Sequence, residues 1–223
     1  MIYHCGQKKA LWFRNRAAEF LQAYTSNEPS SPRNAFLDIH GKIIALADQS
    51  LMSPEEVLVV IEKPFEERLR THLARYQPLY GTEITAANHN LYFDLEAAYL
   101  PASDEIAIPQ KKGQLILSPY LLPSSVSEEE FLLFRVKNGL PLQGIDFDRD
   151  LLLSIGDEDF VSYKKGCYLG QEIIARIHFR GKPPKKLVVR SQDSCTPEDR
   201  PRLTSAVRNP QDGKIYGFIM VQN

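Results

Sequence analysis

Short apolar runs, separated by glycine, proline and asparagine, predict a series of strands along the first half of the chain. The runs lie at residues 11–13, 35–39, 43–47, 57–61, 82–88, 91–95, 106–108 and 114–117. Gly41, between the second and third runs, predicts a hairpin. Ser53 and Glu56 have the spacing of a capping box and could open a helix, but the β-branched residues that follow and Pro64 favour a strand.

Apolar positions at helical spacing predict four helices between and after these strands. The helices are expected at residues 17–24, 65–76, 128–138 and from near 169 to 180, and three closing strands are expected at 186–190, 202–207 and 214–221. The third helix has the clearest limits, because Ser127 and Glu130 form a capping box and Gly139 with Pro141 ends it. The mixture of strands and helices predicts an α+β fold.

Composition and charge exclude several classes of protein. The 223 residues are 43% hydrophobic and carry 27 Lys and Arg against 28 Asp and Glu, which is ordinary for a globular chain. A net charge of -1 argues against a protein that depends on non-specific phosphate contacts. The three cysteines form no CxxC pair, so neither a disulfide framework nor a stable metal site is indicated. With no signal-peptide pattern and no long apolar run, we expect a reducing, cytoplasmic location.

Cys167 is the candidate for chemistry that the local sequence favours. Lys164 and Lys165 precede it, and a helix N-terminus is expected within a few residues; both features stabilise a thiolate. Gly166 and Gly170 permit tight turns on either side. A semi-buried structural cysteine in a helix-entry turn is the plainer interpretation of the same residues.

The residues around this cysteine resemble the signature of the YgfZ proteins, which are relatives of the glycine-cleavage T-protein, an aminomethyltransferase. The matching residues are Lys165, Gly166, Cys167, Tyr168, Gly170, Gln171 and Glu172, followed by Arg176, Arg180 and Gly181. Weaker matches at residues 20–25, 37–44, 135–141 and 204–205 extend the resemblance over nearly the whole chain.

This resemblance implies a T-protein-like, multi-lobe ring around a central cleft that binds tetrahydrofolate. Residues 1–50 and 118–182 would form a discontinuous folate-binding α+β lobe, and residues 51–117 an inserted α+β lobe. Residues 183–223 would form a small antiparallel piece that is like a truncated β-barrel.

The resemblance also implies site residues and partners. Phe131, Arg135 and Asp146 would contact folate, although Phe131 is also a natural core position of its helix. Arg135 could pair with a carboxylate of folate or, instead, with an internal acid. Cys167 would act by thiol exchange or as a transient ligand of an iron–sulfur cluster. The implied partners are iron–sulfur enzymes or cluster carriers, with a weak contact to tRNA. We expect a monomer without membrane contact.

Three functions are consistent with these observations, in order of preference. The first is a non-enzymatic, tetrahydrofolate-binding accessory protein of iron–sulfur cluster assembly or repair, which affects tRNA-modifying enzymes among others. The second is an aminomethyltransferase that transfers a one-carbon unit to tetrahydrofolate. The paired aspartates of those enzymes are absent from the turn at His40 and Lys42, which argues against it. The third is an RNA-binding module in tRNA modification, which the near-neutral charge disfavours.

Overall fold

The computed structural model describes residues 1–156 and 158–223. Within these ranges the strands are β1 (Ile2–His4), β2 (Lys8–Arg14), β3 (Arg33–Leu37), β4 (Ile43–Ser53), β5 (Glu56–Glu62), β6 (Glu83–Ala86), β7 (Asn90–Asp94), β8 (Ile106–Pro109), β9 (Gln114–Ser118), β10 (Lys185–Ser191), β11 (Thr204–Arg208) and β12 (Ile215–Gln222). The α-helices are α1 (Ala17–Tyr24), α2 (Glu66–Leu73), α3 (Gln77–Tyr80), α4 (Glu128–Asn138) and α5 (Gln171–Arg180). This mixture confirms the predicted α+β class.

The largest sheet has the strand order β3-β4-β5-β2-β6, with antiparallel neighbours throughout. The hairpin predicted around Gly41 joins β3 to β4, and the run after Glu56 is a strand, as predicted. Along β5, Val57 and Val59 pack against one hydrophobic cluster while Leu58 and Val60 pack against another. Because both faces of β5 are buried, its sequence is a continuous apolar run rather than an alternating one.

Two smaller sheets pack around this one. The first has the order β1-β7-β9-β8, and the second, at the C-terminal end, has the order β10-β12-β11. Strands within residues 1–156 and 158–223 form no closed barrel, so the barrel-like character predicted for residues 183–223 is not confirmed. In the same ranges no helix combines the length and the apolar character needed to cross a membrane.

The sheets run across the lobe boundaries that the sequence predicted. Strand β4 passes through the division between residues 50 and 51, and β9 passes through the division between 117 and 118. Strands β5 and β6 belong to the same sheet as β2. Strand β4 pairs with β5 from Asp48 to Ser53. Strands from the predicted first and second lobes therefore lie in one sheet.

Helix α4 has the termini that its sequence predicts. The hydroxyl of Ser127 accepts a hydrogen bond from the Glu130 amide at 3.2 Å, and the Glu130 carboxylate accepts one from the Ser127 amide at 2.8 Å. Gly139 ends the helix with φ of 63°. Apolar contacts of α4 run towards both smaller sheets, since Phe131 and Phe134 pack on one cluster and Val136 in another.

The start of α5 is fixed against the β3–β4 hairpin by a close backbone approach. Gly170 is the N-cap of α5 and has φ of 85°. A Cβ atom at this position would lie 2.5 Å from the carbonyl oxygen of Asp38 and 3.3 Å from Cβ of Leu37. Only glycine fits here, and this close contact fixes the position of the first turn of α5 relative to the hairpin.

We therefore expect Gly170→Ala to lower the free energy of unfolding by about 3 kcal/mol, because a left-handed φ and a backbone clash add together. Gly81→Ala is the matched control. Gly81 also has a left-handed φ, of 69°, but a Cβ atom there would have no atom within 4 Å, so about 1 kcal/mol should be lost. Urea unfolding measures both, and equal losses for the two variants would show that the contact with Asp38 is not tight.

Candidate functional site

A cavity of about 340 Å³ lies where the three sheets and α4 meet. This volume is in the range of small-molecule sites, which begins at ~300 Å³. The wall is mostly apolar; its aromatic members are Tyr3, Phe93, Phe131 and Phe160, and its polar members include Lys8, Asp48, Glu62, Gln110, Arg135, Gln143 and Ser205. The arrangement suits a flat, partly polar molecule.

Phe131 lines this cavity from α4 and also belongs to the packed interior. Its ring stacks on Tyr3, with centroids 4.0 Å apart and planes 12° apart, and lies 5.4 Å from the ring of Phe93. The stack covers part of the Phe131 ring and holds it in place. Tyr3 and Phe131 together therefore present a rigid aromatic wall to the cavity.

Arg135 and Asp146 form a buried ion pair, with Nη1 3.2 Å from Oδ2. Nη2 of Arg135 donates to the hydroxyl of Ser205 at 3.0 Å. Oδ1 of Asp146 accepts hydrogen bonds from the hydroxyls of Ser205 and Thr204, at 2.6 and 2.8 Å. Arg135 reaches the cavity wall, while both oxygens of Asp146 are engaged by protein groups. The pair ties α4 to β11, and removal of one partner would leave a buried charge uncompensated.

A charged cluster of Lys8, Asp48 and Glu62 forms another part of the wall, and the sequence patterns did not reveal it. The ammonium of Lys8 lies 3.2 Å from Asp48 Oδ2 and 2.8 Å from Glu62 Oε1. The available signal was that Asp48 and Glu62 each follow directly on a buried apolar run. Only the strand order, which puts β2 and β4 on either side of β5, brings the three together.

Cys167 lies outside the cavity lining and is exposed to solvent. It precedes α5, which begins at Gln171, two residues later than predicted. Nowhere in residues 1–156 and 158–223 do three or more His, Cys, Asp or Glu side chains form a group that could hold a metal ion. Cys167 is thus a single accessible thiol.

Lys165 is buried, which corrects the expectation that it lies beside Cys167 as a stabilising charge. Its ammonium donates to the carbonyl oxygens of Thr25 and Asn27, both at 2.7 Å. Burial lowers the pKa of Lys165 to about 8. Of the two lysines before the cysteine, Lys164 is the exposed one.

Further hydrogen bonds tie the same two parts of the chain together. The hydroxyl of Ser26 donates to the carbonyl of Phe160 at 2.7 Å, and the side-chain amide of Asn27 donates to the carbonyl of Asp159 at 2.7 Å. The amide of Leu169, two residues after Cys167, donates to the carbonyl of Ala23 at 3.0 Å. The loop that carries Cys167 is therefore held at both ends against the C-terminal end of α1.

The other residues of the signature divide into buried and exposed ones. Burial raises the pKa of Tyr168, whose amide donates to the side-chain oxygen of Gln171 at 3.3 Å. Gly166 packs close to Gln22, since a Cβ atom on Gly166 would lie 3.6 Å from the side-chain nitrogen of Gln22. The residues on the solvent side and at the end of α5 are Glu172, Arg176, Arg180 and Gly181, with Glu172 and Arg176 paired at 3.0 Å.

Comparison with known proteins gives two relatives by sequence and a structural neighbour. No model of a protein family matches the chain. Two proteins named "Iron-sulfur cluster assembly factor IBA57 homolog, mitochondrial" are similar to it. The one from Mycosarcoma maydis is 35% identical over 77 residues, which cover 33% of this chain and 19% of that protein. The one from Dictyostelium discoideum is 26% identical over 171 residues, which cover 60% of this chain and 40% of that protein. The chain thus spans less than half the length of these relatives.

One structural neighbour is the glycine cleavage system aminomethyltransferase T from Bartonella henselae. The two structures superpose with a TM-score of 0.67 over 98% of this chain and 77% of the other, at 16% sequence identity. This likeness confirms the predicted T-protein-like fold.

The three cysteines should differ sharply in reactivity. In the native protein we expect iodoacetamide to modify Cys167 at neutral pH while Cys5 and Cys195, which are buried, stay unmodified until the protein unfolds. Burial also raises the pKa of Cys5 to about 12, which suppresses its thiolate. Mass spectrometry of the labelled peptides gives the three rates, with Cys167→Ser as the control. Modification of Cys5 as fast as Cys167 would contradict the packing described here.

The buried ammonium of Lys165 should make stability depend on pH. Because its pKa is about 8 in the folded protein and ~10.4 in an unfolded chain, the unfolded state binds more protons between these values. The contribution of Lys165 to the free energy of unfolding should therefore rise from pH 8 to pH 10.5.

Urea unfolding of the wild type and of Lys165→Met at pH 7.5 and pH 10 measures this rise. The variant should lack it, while Lys164→Met, at the exposed neighbour, should follow the wild type. Parallel pH curves for the wild type and Lys165→Met would contradict the burial of the ammonium.

Proposed function

We propose that the chain belongs to the YgfZ/GcvT-like family and is a tetrahydrofolate-binding accessory protein of iron–sulfur cluster assembly or repair. The observation that carries the proposal is the exposed Cys167 on a loop that is fixed at both ends, outside a separate cavity of ligand size. The names of the two sequence relatives support the cluster role, and the fold of the aminomethyltransferase supports the folate role.

The cavity has the chemistry that a reduced folate requires. The stacked rings of Tyr3 and Phe131 offer an apolar surface to a flat pterin ring. The side-chain nitrogen of Gln110 is buried at this wall and has no hydrogen-bond acceptor within residues 1–156 and 158–223. An oxygen or nitrogen atom of a ligand ring could accept this missing hydrogen bond. We assign Phe131 and Arg135 to the ligand contact, and Asp146 to holding the guanidinium of Arg135 in place.

The cluster is cargo in this proposal, and Cys167 is its point of contact. A stable cluster normally takes ~4 protein ligands. Since the described residues give Cys167 no companion ligands, a cluster bound here is shared with a carrier or a client enzyme that supplies the rest. Clients that modify tRNA would connect the protein to tRNA indirectly.

An aminomethyltransferase is the second candidate, and one observation favours it. The carboxylates of Asp48 and Glu62 lie side by side in the cavity wall, although the turn at Gly41 lacks the acidic pair of the enzymes. Both of these carboxylates, however, are already engaged by the ammonium of Lys8. We expect no aminomethyl transfer to tetrahydrofolate from a lipoyl carrier protein, and a measurable turnover would favour the enzyme.

The proposed function separates into two measurable parts. Cys167→Ser should abolish the activation of an apo iron–sulfur enzyme by a cluster-loaded carrier, because the thiolate ligand is lost, yet should bind tetrahydrofolate as tightly as the wild type. Phe131→Ala should weaken tetrahydrofolate binding about tenfold, since an aromatic face of the site is removed.

Enzyme activation measures the cluster role, and isothermal calorimetry measures tetrahydrofolate binding. Cys195→Ser is the control for the activation assay. Full activation by Cys167→Ser would refute the cluster role. The absence of heat and of a thermal shift with the wild type at millimolar tetrahydrofolate would refute the folate role.

A further inference from the structure

We propose that Asp48 and Glu62 determine the specificity of the central cavity by accepting hydrogen bonds from one edge of the bound ring, which selects rings with a 2-amino-4-oxopyrimidine edge. This inference deepens the proposed function and rests on its folate-binding part. The residues carrying it come from adjacent strands and match no residue of the signature around Cys167.

The cluster is built by the register of the central sheet. Lys8 on β2 is directly opposite Glu62 on β5, and Asp48 on β4 is opposite Val60, two residues before Glu62. The three side chains are between 12% and 17% exposed, and all three line the cavity. The strand register thus places one ammonium and two carboxylates next to each other in the cavity wall.

The two carboxylates are only partly engaged by Lys8. Lys8 contacts one oxygen of each, Oδ2 of Asp48 and Oε1 of Glu62. Their other oxygens, Oδ1 and Oε2, accept no hydrogen bond from the part of the chain that the structure describes. Burial alone would lower the pKa of Lys8, but Glu62 and Asp48 raise it above its ordinary value, so the ammonium persists.

The charges of Lys8, Asp48 and Glu62 determine which part of a ligand can lie against this wall. Two carboxylates against one ammonium give the cluster a net negative charge, which repels an anionic tail and favours a neutral edge with hydrogen-bond donors. The amino group and the adjacent ring N–H of a 2-amino-4-oxopyrimidine are two such donors side by side, and the neighbouring oxygen can accept the remaining proton of Lys8. Hydrogen bonds to ionised acceptors are the strong ones, so the edge that makes them fixes the orientation.

The aromatic and charged walls are compatible with one pose. Tyr3 and Phe131 contribute aromatic surface to the wall, whereas Asp48 and Glu62 contribute acceptors. A planar ring can stack on the first pair while its edge meets the second pair. Its substituent then lies away from the carboxylates.

Calorimetry with two probes tests the inference on the full chain. The probes are tetrahydrofolate and its 2-desamino analogue, which keeps the ring and the tail but lacks the amino donor. We expect the wild type to bind the analogue at least about tenfold more weakly than tetrahydrofolate. Glu62→Gln and Asp48→Asn replace one carboxylate oxygen, an acceptor, by an NH2 group, a donor. Each should weaken tetrahydrofolate binding about tenfold or more and reduce the discrimination between the probes.

A matched control lies on the same strand. Glu56 also pairs with a basic residue, Arg14 at 2.7 Å, but lies outside the cavity lining, so Glu56→Gln should bind both probes as the wild type does. Thermal unfolding of each variant identifies any loss of binding that comes from misfolding, and the analogue measured on the wild type needs no variant.

The outcomes separate this inference from the proposed function. If the wild type binds tetrahydrofolate but does not distinguish the analogue, and the two cavity variants bind as the wild type does, the specificity role is overturned while folate binding stands. If the wild type does not bind tetrahydrofolate, the folate role falls and this inference falls with it.

Discussion

The buried ammonium of Lys165 is the interaction on which the exposed site depends. An ammonium taken out of water must be compensated by strong acceptors. Here the acceptors are the carbonyls of Thr25 and Asn27, which follow the C-terminal end of α1. Both carbonyls lie just beyond α1, so one buried lysine anchors the loop that bears Cys167 to the segment that follows this helix. Cys167, two residues after Lys165, is exposed to solvent on this anchored loop.

The cavity and the loop that bears Cys167 are built from different parts of the molecule. The cavity is formed by residues from the three sheets and α4, and the Arg135–Asp146 pair joins α4 to the C-terminal sheet. A ligand in the cavity would contact all of these elements, so its binding would stabilise their arrangement as a whole. Cys167 lies outside this lining, on a loop whose geometry is set by α1 and the β3–β4 hairpin. The proposed folate binding and the proposed thiol chemistry can therefore be removed independently.

Local sequence predicted the elements better than their assembly. The capping box at Ser127 and the hairpin at Gly41 formed as predicted, because short-range hydrogen bonds and backbone sterics determine them. The burial of Lys165 and the meeting of Lys8 with Glu62 were not predictable, since each depends on partners that are distant in the chain. The order of the strands in the central sheet was not predictable for the same reason, because it depends on pairing between distant segments.

The most direct test of the central claim is whether Cys167 contacts an iron–sulfur cluster that a partner carries. Visible circular dichroism of a cluster-loaded carrier protein, titrated with this chain under anaerobic conditions, reports a change in the ligands of the cluster. The account predicts a new saturable spectrum with the wild type and with Cys195→Ser, and the unchanged carrier spectrum with Cys167→Ser. The same new spectrum with Cys167→Ser would contradict it.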